Sequence, residues 1–318
     1  MAQTWESGLP EAALARMHGM QGTSTWGSAL STQEFNAIKG VGFDPVGQVL
    51  GTAVYQIGYQ GGYGCSGAWS GYLGQNMSTD VSSRAWAPFS ALVKAMYDAR
   101  HTALSRAVAE CTALGGDGIV GASLKVRRFE AGGLEFTVLG TAVRARGAVR
   151  PRQPFTSHVT GQEFAKLLHA GYVPTGLALG ISIASRHDDY RTRASLSRWA
   201  GNQEVPGYTQ LINNARHDAR NQLMKDARRH GGDGVVVDEI DLRIGERECP
   251  TYEGARDHIA EAFLLGTSIA RYERSHRDKG PAPKALTIMR LDYQKTKTDS
   301  SLYPPLNPFS FTPAVVAQ

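Results

Sequence analysis

Two long stretches of the chain carry apolar residues at the three- and four-residue spacing of an amphipathic helix. One runs from Phe89 to Leu114, the other from Tyr208 to Ala227, and each ends just before a Gly-Gly-Asp-Gly sequence. Glycine is a common helix stop, because it readily adopts the left-handed backbone conformation of a C-cap. The pattern predicts two long helices with one buried face each, and Leu104 and Leu223 lie on those faces.

β-Branched residues spaced by glycines surround each helix and predict strands. In each half of the chain a strand, the long helix and a hairpin follow one another. This order predicts an α+β fold of two tandem repeats, each a small, mostly antiparallel sheet with one long helix packed on it. The predicted strands are Val46 to Ile57, Ile119 to Phe129, Leu134 to Arg144, Leu177 to Ala184, Val235 to Ile244 and Ile259 to Arg271.

The two halves are copies of one unit, because short motifs recur at offsets of 129, 116 and 126 residues. The motifs are QEF at 33–35 and 162–164, GGDG at 115–118 and 231–234, and LGT at 139–141 and 265–267. The second copy has therefore lost thirteen residues in its middle and gained ten near its end. We expect four segments: an N-terminal extension over 1–30, a first domain over 31–147, a second domain over 155–273, and a basic, Pro-rich tail over 274–318.

Composition narrows the class of protein. A chain of 318 residues with 42% hydrophobic residues suits about two globular domains. No apolar stretch reaches the length of a membrane helix, and no basic segment precedes an apolar core at the start, so we expect a cytoplasmic protein. A net charge of +5 argues against nucleic-acid binding. The widely separated Cys65, Cys111 and Cys249 form no CxxC motif and are expected to be free thiols.

Longer motifs carry a resemblance to a known family. The run GGDGIVGASLKV follows a helix containing AMYDARHTALSRAVAECTAL and precedes EFTVLGTAVRARG, and the first copy opens with STQEFNAIKGVGFDPVGQVLGTAVYQIG. These residues resemble the YbjQ-like proteins, labelled as heavy-metal-binding domains, in the tandem form found in actinobacteria. The resemblance covers 31–147 and, less closely, 160–272. It implies an α+β fold that assembles into rings, pentameric in single-domain relatives, with no established enzymatic reaction.

The metal label finds little support in the spacing of the residues. Soft or borderline ions need Cys and His grouped at ligand spacing, and no such group occurs along the chain. His101 and His217 occupy equivalent helix positions and a ring would gather them, although exposed helix-face histidines are the simpler interpretation. Cys65 lies in a Gly-rich run, whereas Cys111 lies on an apolar helix face and is interpreted as a small buried hydrophobe.

An acidic group lies on one predicted strand of the second copy. Simple alternation would put Glu239 and Asp241 on one face with Val235 and Val237, and Asp238 on the other. Such carboxylates could hold a divalent ion or act as acid and base. No nucleophile, His–carboxylate pair or phosphate-loop Lys accompanies them, which disfavours an enzyme.

The matching strand of the first copy is basic, with Lys125, Arg127 and Arg128. Opposite signs at corresponding positions favour contact between copy one and copy two, within the chain or with a neighbour. We therefore expect the basic residues to lie within reach of Glu239 or Asp241 in an assembly.

Two further segments are candidates for partner binding. Gly58 to Gly74 is rich in glycine and includes four interleaved aromatic residues, namely Tyr59, Tyr63, Trp69 and Tyr72. It is either a contact surface or a low-complexity insertion. The tail over 274–318 ends in a Pro-constrained run with aromatic residues, which suits either a docking peptide or an untethered tail.

These observations favour a non-enzymatic, ring-forming assembly protein that presents loops and tails to a partner and needs no cofactor. The first alternative is a protein that binds a divalent metal or small ligand at a subunit interface. The second is an enzyme using Asp238, Glu239 and Asp241.

Overall fold

Each half of the chain contains the predicted strand, long helix and hairpin, accompanied by further short helices and short strands. The computed structural model describes residues 9–22, 27–56, 79–84, 87, 89–128, 133–148, 150–197, 199–249 and 256–272. The helices are α1 Glu11–Gly22, α2 Thr32–Gly40, α3 Ser90–Ala113, α4 Gly161–His169, α5 Tyr190–Ser195 and α6 Pro206–Arg229. The strands are β1 Phe43–Gln56, β2 Asp80–Val81, β3 Gly118–Arg128, β4 Gly133–Ala145, β5 Phe155–Thr156, β6 Tyr172–His187, β7 Gly234–Glu248 and β8 Arg256–Arg271.

The strands form two four-stranded sheets, in the orders β1-β4-β3-β5 (sheet 1) and β2-β6-β8-β7 (sheet 2). Each takes three long antiparallel strands from one copy and a two-residue strand from the other: β5 runs parallel to β3, and β2 runs antiparallel to β6. The predicted α+β fold with antiparallel sheets is confirmed. The exact bounds of the four expected segments stay a prediction. No helix in the described residues is both long and apolar enough to cross a membrane.

A glycine in the first strand of each copy lets the long helix approach the sheet backbone to backbone. A Cβ atom at Gly51 would lie 2.6 Å from the Ala107 nitrogen, and one at its counterpart Gly180 would lie 2.9 Å from Leu223 Cβ. Real Cβ atoms essentially never come that close, so these positions require glycine for space rather than for φ. This contact sets how closely α3 and α6 lie against their sheets.

The Gly-Gly-Asp-Gly sequences are structural. The glycine that follows each long helix has φ +72°. The Asp117 carboxylate accepts a hydrogen bond from the Ala145 backbone N–H at 2.8 Å, and the matching Asp233 accepts one from Arg271 at 3.0 Å. The first glycine thus ends the helix, as the C-cap interpretation requires. The aspartate binds the last residue of the second hairpin strand, β4 or β8.

The two copies share one core because α3 contacts both sheets. The Arg100 guanidinium stacks between Phe136 of sheet 1, at 5.0 Å, and Phe263 of sheet 2, at 4.5 Å. Leu223 on α6 is 1% exposed, which confirms the predicted helix face. Leu104 on α3 is only partly buried against the core.

Candidate functional site

The surface that joins the two copies is built from backbone pairing. Beyond the two-residue strand β5, the chain continues along the edge of β3. The backbone N–H of Ala122 donates to the Ser157 carbonyl at 2.9 Å, and that of Gly121 donates to the Val159 carbonyl at 3.0 Å. Ser157 N–H returns a bond of 2.9 Å to the Ile119 carbonyl. The start of copy two therefore covers the outer strand of copy one.

The covering segment, residues 155–159, is itself held to copy two by a short hydrogen-bonded motif. The Ser157 hydroxyl lies 3.2 Å from that of Thr267, and the His158 N–H donates to the same Thr267 oxygen at 3.0 Å. Copy one repeats the motif 129 residues earlier, since Ser28 lies 3.2 Å from Thr141 and the Ala29 N–H donates to it at 3.1 Å. The repeated architecture thus begins inside the predicted N-terminal extension.

Within the described residues the edge contact is made once. Val120 of β3 is fully buried beneath copy two, whereas its counterpart Val236 on β7 is half-buried and the next residue, Val237, is 45% exposed. Residues 27–30, which correspond to 156–159, are half-buried or exposed. Among the described residues no backbone hydrogen bond joins 27–30 to β7. One covering segment and one strand edge are therefore left without the contact that their counterparts make.

The short helices α2 and α4 contribute a second contact between the copies. Both begin with a capping box, from Ser31 and Glu34 in α2 and from Thr160 and Glu163 in α4. The second oxygen of the Glu34 carboxylate accepts a bond from the N–H at the start of α4, residue 161, at 3.2 Å. Hydrogen bonding to the carboxylate outweighs partial burial and lowers the pKa of Glu34.

A buried polar group, which the sequence analysis missed, closes the far end of sheet 2. His187 ends β6, Asp257 lies opposite it on β8, and Cys249 follows β7; they are 5%, 2% and 7% exposed. His187 Nδ1 lies 2.8 Å from Asp257 Oδ1. One ligand atom from each residue lies within 4.8 Å of the others, and no other group of three His, Cys, Asp or Glu in the described residues is arranged this way.

The opposite face of the same sheet end carries a second His–Asp pair. His258 Nε2 lies 3.1 Å from Asp188 Oδ2 and 2.7 Å from the Tyr208 hydroxyl at the start of α6. Burial and the negative charge of Asp188 raise the pKa of Tyr208 to about 12. The pair thus connects the end of sheet 2 to the start of α6.

A cavity of about 510 Å³ lies between the two sheets beside α3. Its charged walls include Glu239, Asp241, Arg243 and the buried Arg100. Arg243 Nε donates to Asp241 Oδ2 at 3.0 Å. Burial lowers the pKa of Arg100 to about 10, and the charge of Glu239 opposes that shift. Glu239 and Asp241 thus each have an arginine nearby, which suits charge balance better than acid–base chemistry.

The predicted faces of the acidic strand were wrong. A β-bulge between Val237 and Glu239 inserts Asp238 as an extra residue, so Val237 lies opposite residue 266 while Glu239 lies opposite residue 265. Glu239 and Asp241 therefore lie on the opposite face from Val235 and Val237. The bulge also separates Asp238, which is exposed, from the two acids that line the cavity.

The basic residues of β3 make no ion pair with these acids in the described part of the chain, although Leu124 and Val126 of the same strand line the cavity. Lys125 and Arg127 are exposed on β3, and in the described residues no ion pair joins either to Glu239 or Asp241. The Arg128 side chain lies outside the described residues. Contact between the basic strand and the acids of a neighbouring chain stays a prediction.

The remaining metal candidates are not brought together. His101 and His217 are both exposed on their helices, and His101 stacks on Tyr97. Cys111 is fully buried, and burial with the nearby Asp117 raises the pKa of its thiol to about 12. Cys111 is thus the small core residue that its apolar face predicts. Cys65, Tyr59, Tyr63, Trp69, Tyr72 and the C-terminal tail lie outside the described residues.

Comparisons with known proteins agree with this architecture. A family model described as "Putative heavy-metal-binding" matches residues 66–146, within copy one. A curated protein of Mycobacterium tuberculosis, named as an encapsulin nanocompartment protein, is 34% identical over 253 residues, which cover 77% of this chain and 85% of that protein. No solved structure gives a significant match. In the described part of the matched stretch no three metal-binding side chains lie together, so copy one does not explain its family description there.

Proposed function

The chain belongs to the YbjQ-like family in its two-repeat form, and we propose that it is a non-enzymatic cytoplasmic protein whose chains associate head to tail into a closed ring. The observation that carries the proposal is the single edge contact between the copies. The name of the mycobacterial relative, which describes a nanocompartment protein, supports an assembly role. The free thiols of Cys111 and Cys249 suit a reducing compartment.

The contact between the copies is directional. The edge of β3 in copy one meets the start of copy two, whereas in the described part of the chain no backbone hydrogen bond joins residues 27–30 to β7. A contact between two different surfaces of the same unit can be repeated without limit, and it closes into a ring when the rotation permits. The two surfaces that remain, residues 27–30 and the edge of β7, match the two that have already joined.

The expected bonds of the new contact follow from the repeat. Val237 and Asp238 correspond to Gly121 and Ala122, so their N–H groups should donate to carbonyls of residues 30 and 28 in the next chain. Within the chain, the N–H of residue 161 donates to Glu34. Thr32 and Glu163 are the corresponding residues of the other copy, so the N–H of Thr32 should donate to Glu163 of the next chain. Pairing of this kind would also cover the exposed edge of β7, which could otherwise pair with other chains and aggregate.

Exposed apolar residues on β1 also support the proposal that a neighbouring chain covers sheet 1. Val54 on β1 is 57% exposed, while its counterpart Ile183 in sheet 2 is 1% exposed beneath residues of α3. Leu50 is 36% exposed and its counterpart Leu179 is 2% exposed. These apolar positions match buried ones in copy two, as expected if a further copy covers them in the assembly. Within such a ring, the loop over 58–74 and the C-terminal tail are the segments that we propose to present to a partner.

The test is the mass of the full chain in solution and its response to one edge variant. Asp238→Pro removes the N–H that the bulged residue would donate, and a bulge on a sheet edge tolerates proline. We expect the wild type to form a discrete oligomer and the variant to shift toward single chains of 34.3 kDa, as measured by light scattering after size exclusion. Gln203→Pro in the exposed loop before α6 is the matched control and should keep the oligomer.

Two results would contradict the proposal. A wild-type chain that stays monomeric at micromolar concentration removes the assembly function. An oligomer that persists in Asp238→Pro, with circular dichroism unchanged, removes the β7 edge as its contact while leaving assembly through another surface.

A further inference from the structure

The geometry points to a metal site at the end of sheet 2, and we propose that His187, Cys249 and Asp257 bind a borderline divalent cation such as Zn²⁺. The three residues supply an imidazole nitrogen, a thiol sulfur and a carboxylate oxygen, which is a donor set that Zn²⁺ takes in proteins. The site lies in copy two, outside the stretch matched by the family model, and it does not depend on the assembly proposed above.

The positions of the donors are close to those that a tetrahedral ion requires. Ligands at about 2.0–2.3 Å from Zn²⁺ stand roughly 3.3–3.7 Å from one another. The three donor atoms already lie within 4.8 Å of one another, and His187 Nδ1 and Asp257 Oδ1 are 2.8 Å apart. Side-chain movements that widen the His187–Asp257 separation and bring the sulfur closer would complete the site.

The surroundings hold the carboxylate in place. Arg247 Nη2 donates to the second oxygen of Asp257, Oδ2, at 3.3 Å, so Oδ1 remains directed at His187. The Arg247 guanidinium itself stacks over the Phe89 ring at 5.5 Å. A second partner on a ligating carboxylate is the usual way in which proteins orient a metal ligand.

Among the described residues this group occurs in copy two. His187 ends β6, Asp257 pairs with it on β8, and Cys249 follows the last residue of β7, so three strand ends bring the donors together. When the ion binds, the thiol releases its proton to solvent and the imidazole proton must reside on Nε2, so that Nδ1 exchanges its hydrogen bond to Asp257 for a bond to the metal. Three protein donors leave the fourth position of a tetrahedral ion to water or another donor.

The experiment titrates the metal-free full chain with Co²⁺ and with Zn²⁺. Co²⁺ bound to a thiolate gives a charge-transfer absorption in the near ultraviolet, which reports sulfur coordination directly. We expect one ion per chain, a charge-transfer band, and displacement of Co²⁺ by Zn²⁺. Cys249→Ser should abolish the band, and His187→Gln should weaken Zn²⁺ binding at least tenfold.

The other thiols and histidines provide matched controls. Cys65→Ser, Cys111→Ser and His217→Gln should keep both the band and the affinity. Circular dichroism and the solution mass of Cys249→Ser should stay unchanged, which separates loss of the ligand from loss of the fold. The proposal is overturned if the wild type binds no Co²⁺, if the band survives in Cys249→Ser, or if Cys65→Ser removes it.

Discussion

The close approach of each long helix to its sheet makes a sharp prediction for the glycine beneath it. In Gly180→Ala the new methyl carbon would lie 2.9 Å from Leu223 Cβ and 3.1 Å from the Ala219 carbonyl carbon, and closer still to the Ala219 oxygen. Ordinary carbon contacts begin at about 3.4 Å, and Ala219 belongs to a helix backbone that cannot rotate away. The helix must therefore move outward, which opens the core along its whole length.

The expected cost is at the upper end of the range for overpacked cores, about 3 kcal/mol. For a folded unit of this size that loss lowers the melting temperature by roughly 6–12 °C. Thermal and urea unfolding, followed by circular dichroism at one protein concentration, measure it without interference from changes in assembly. Gly51→Ala should behave in the same way in copy one.

Gly245→Ala is the matched control, since a methyl group there meets nothing within 4 Å. It should leave stability unchanged or raise it by about 0.4–1 kcal/mol, because alanine restricts the unfolded chain. Equal stability of Gly180→Ala and Gly245→Ala would refute the backbone-to-backbone packing of α6 on sheet 2.

Two further predictions concern the core. Leu223→Ala should lower the free energy of unfolding by about 2–5 kcal/mol, and Leu104→Ala by less because Leu104 is only partly buried; equal losses in urea unfolding would contradict the burial difference. Tyr97 accepts a bond from Ile181 N–H at 2.8 Å, and burial raises its pKa to about 12. Since unfolded tyrosine titrates near 10, the wild type should lose stability as pH rises from about 10 to 12, whereas Tyr97→Phe should lose about 1 kcal/mol at neutral pH and show less of that alkaline loss.

The long elements could be predicted because their signals are local and repeated. The apolar stripe of α6 and the glycines that stop it lie within one segment, and the same pattern occurs in α3, so each copy checks the other. The predicted strand ends differ from the observed ones by a few residues, except that β6 and β7 extend further. The added residues at the ends of these strands include many polar ones. A prediction based on runs of β-branched residues therefore stops before them.

The helices α2 and α4 were not predicted, although a signal was present. Each is nine residues long, too short for a convincing apolar period, yet Ser31 with Glu34 and Thr160 with Glu163 form the S/T-x-x-E pattern of a capping box. The bulge at Asp238 left no such signal, because one inserted residue changes which face every later side chain occupies.

The group at the end of sheet 2 could not be found from spacing at all. His187 and Asp257 are 70 residues apart and meet only through the pairing of β6 with β8, while Cys249 reaches them from β7. Metal-site motifs in a sequence are short spacings between ligands that one turn or hairpin brings together. A site whose ligands come from the ends of three strands has no such motif.

The two-repeat chain also constrains the ring that the family resemblance implies. For single-domain relatives the resemblance implies rings of five identical units, in which each contact would turn by one fifth of a circle. A chain with two copies contributes units in pairs, and any ring made only of such chains has an even number of units. Five units cannot be filled without leaving one copy outside. If all copies take part, the contacts must turn by a different angle, and five chains would give ten units.

The measured mass decides this directly, because three chains, five chains and an open pair are different multiples of 34.3 kDa. The two kinds of contact also need not be identical, since copy one and copy two have diverged at β3 and β7. Two alternating kinds of contact would therefore let a ring of two-repeat chains close with an even number of units.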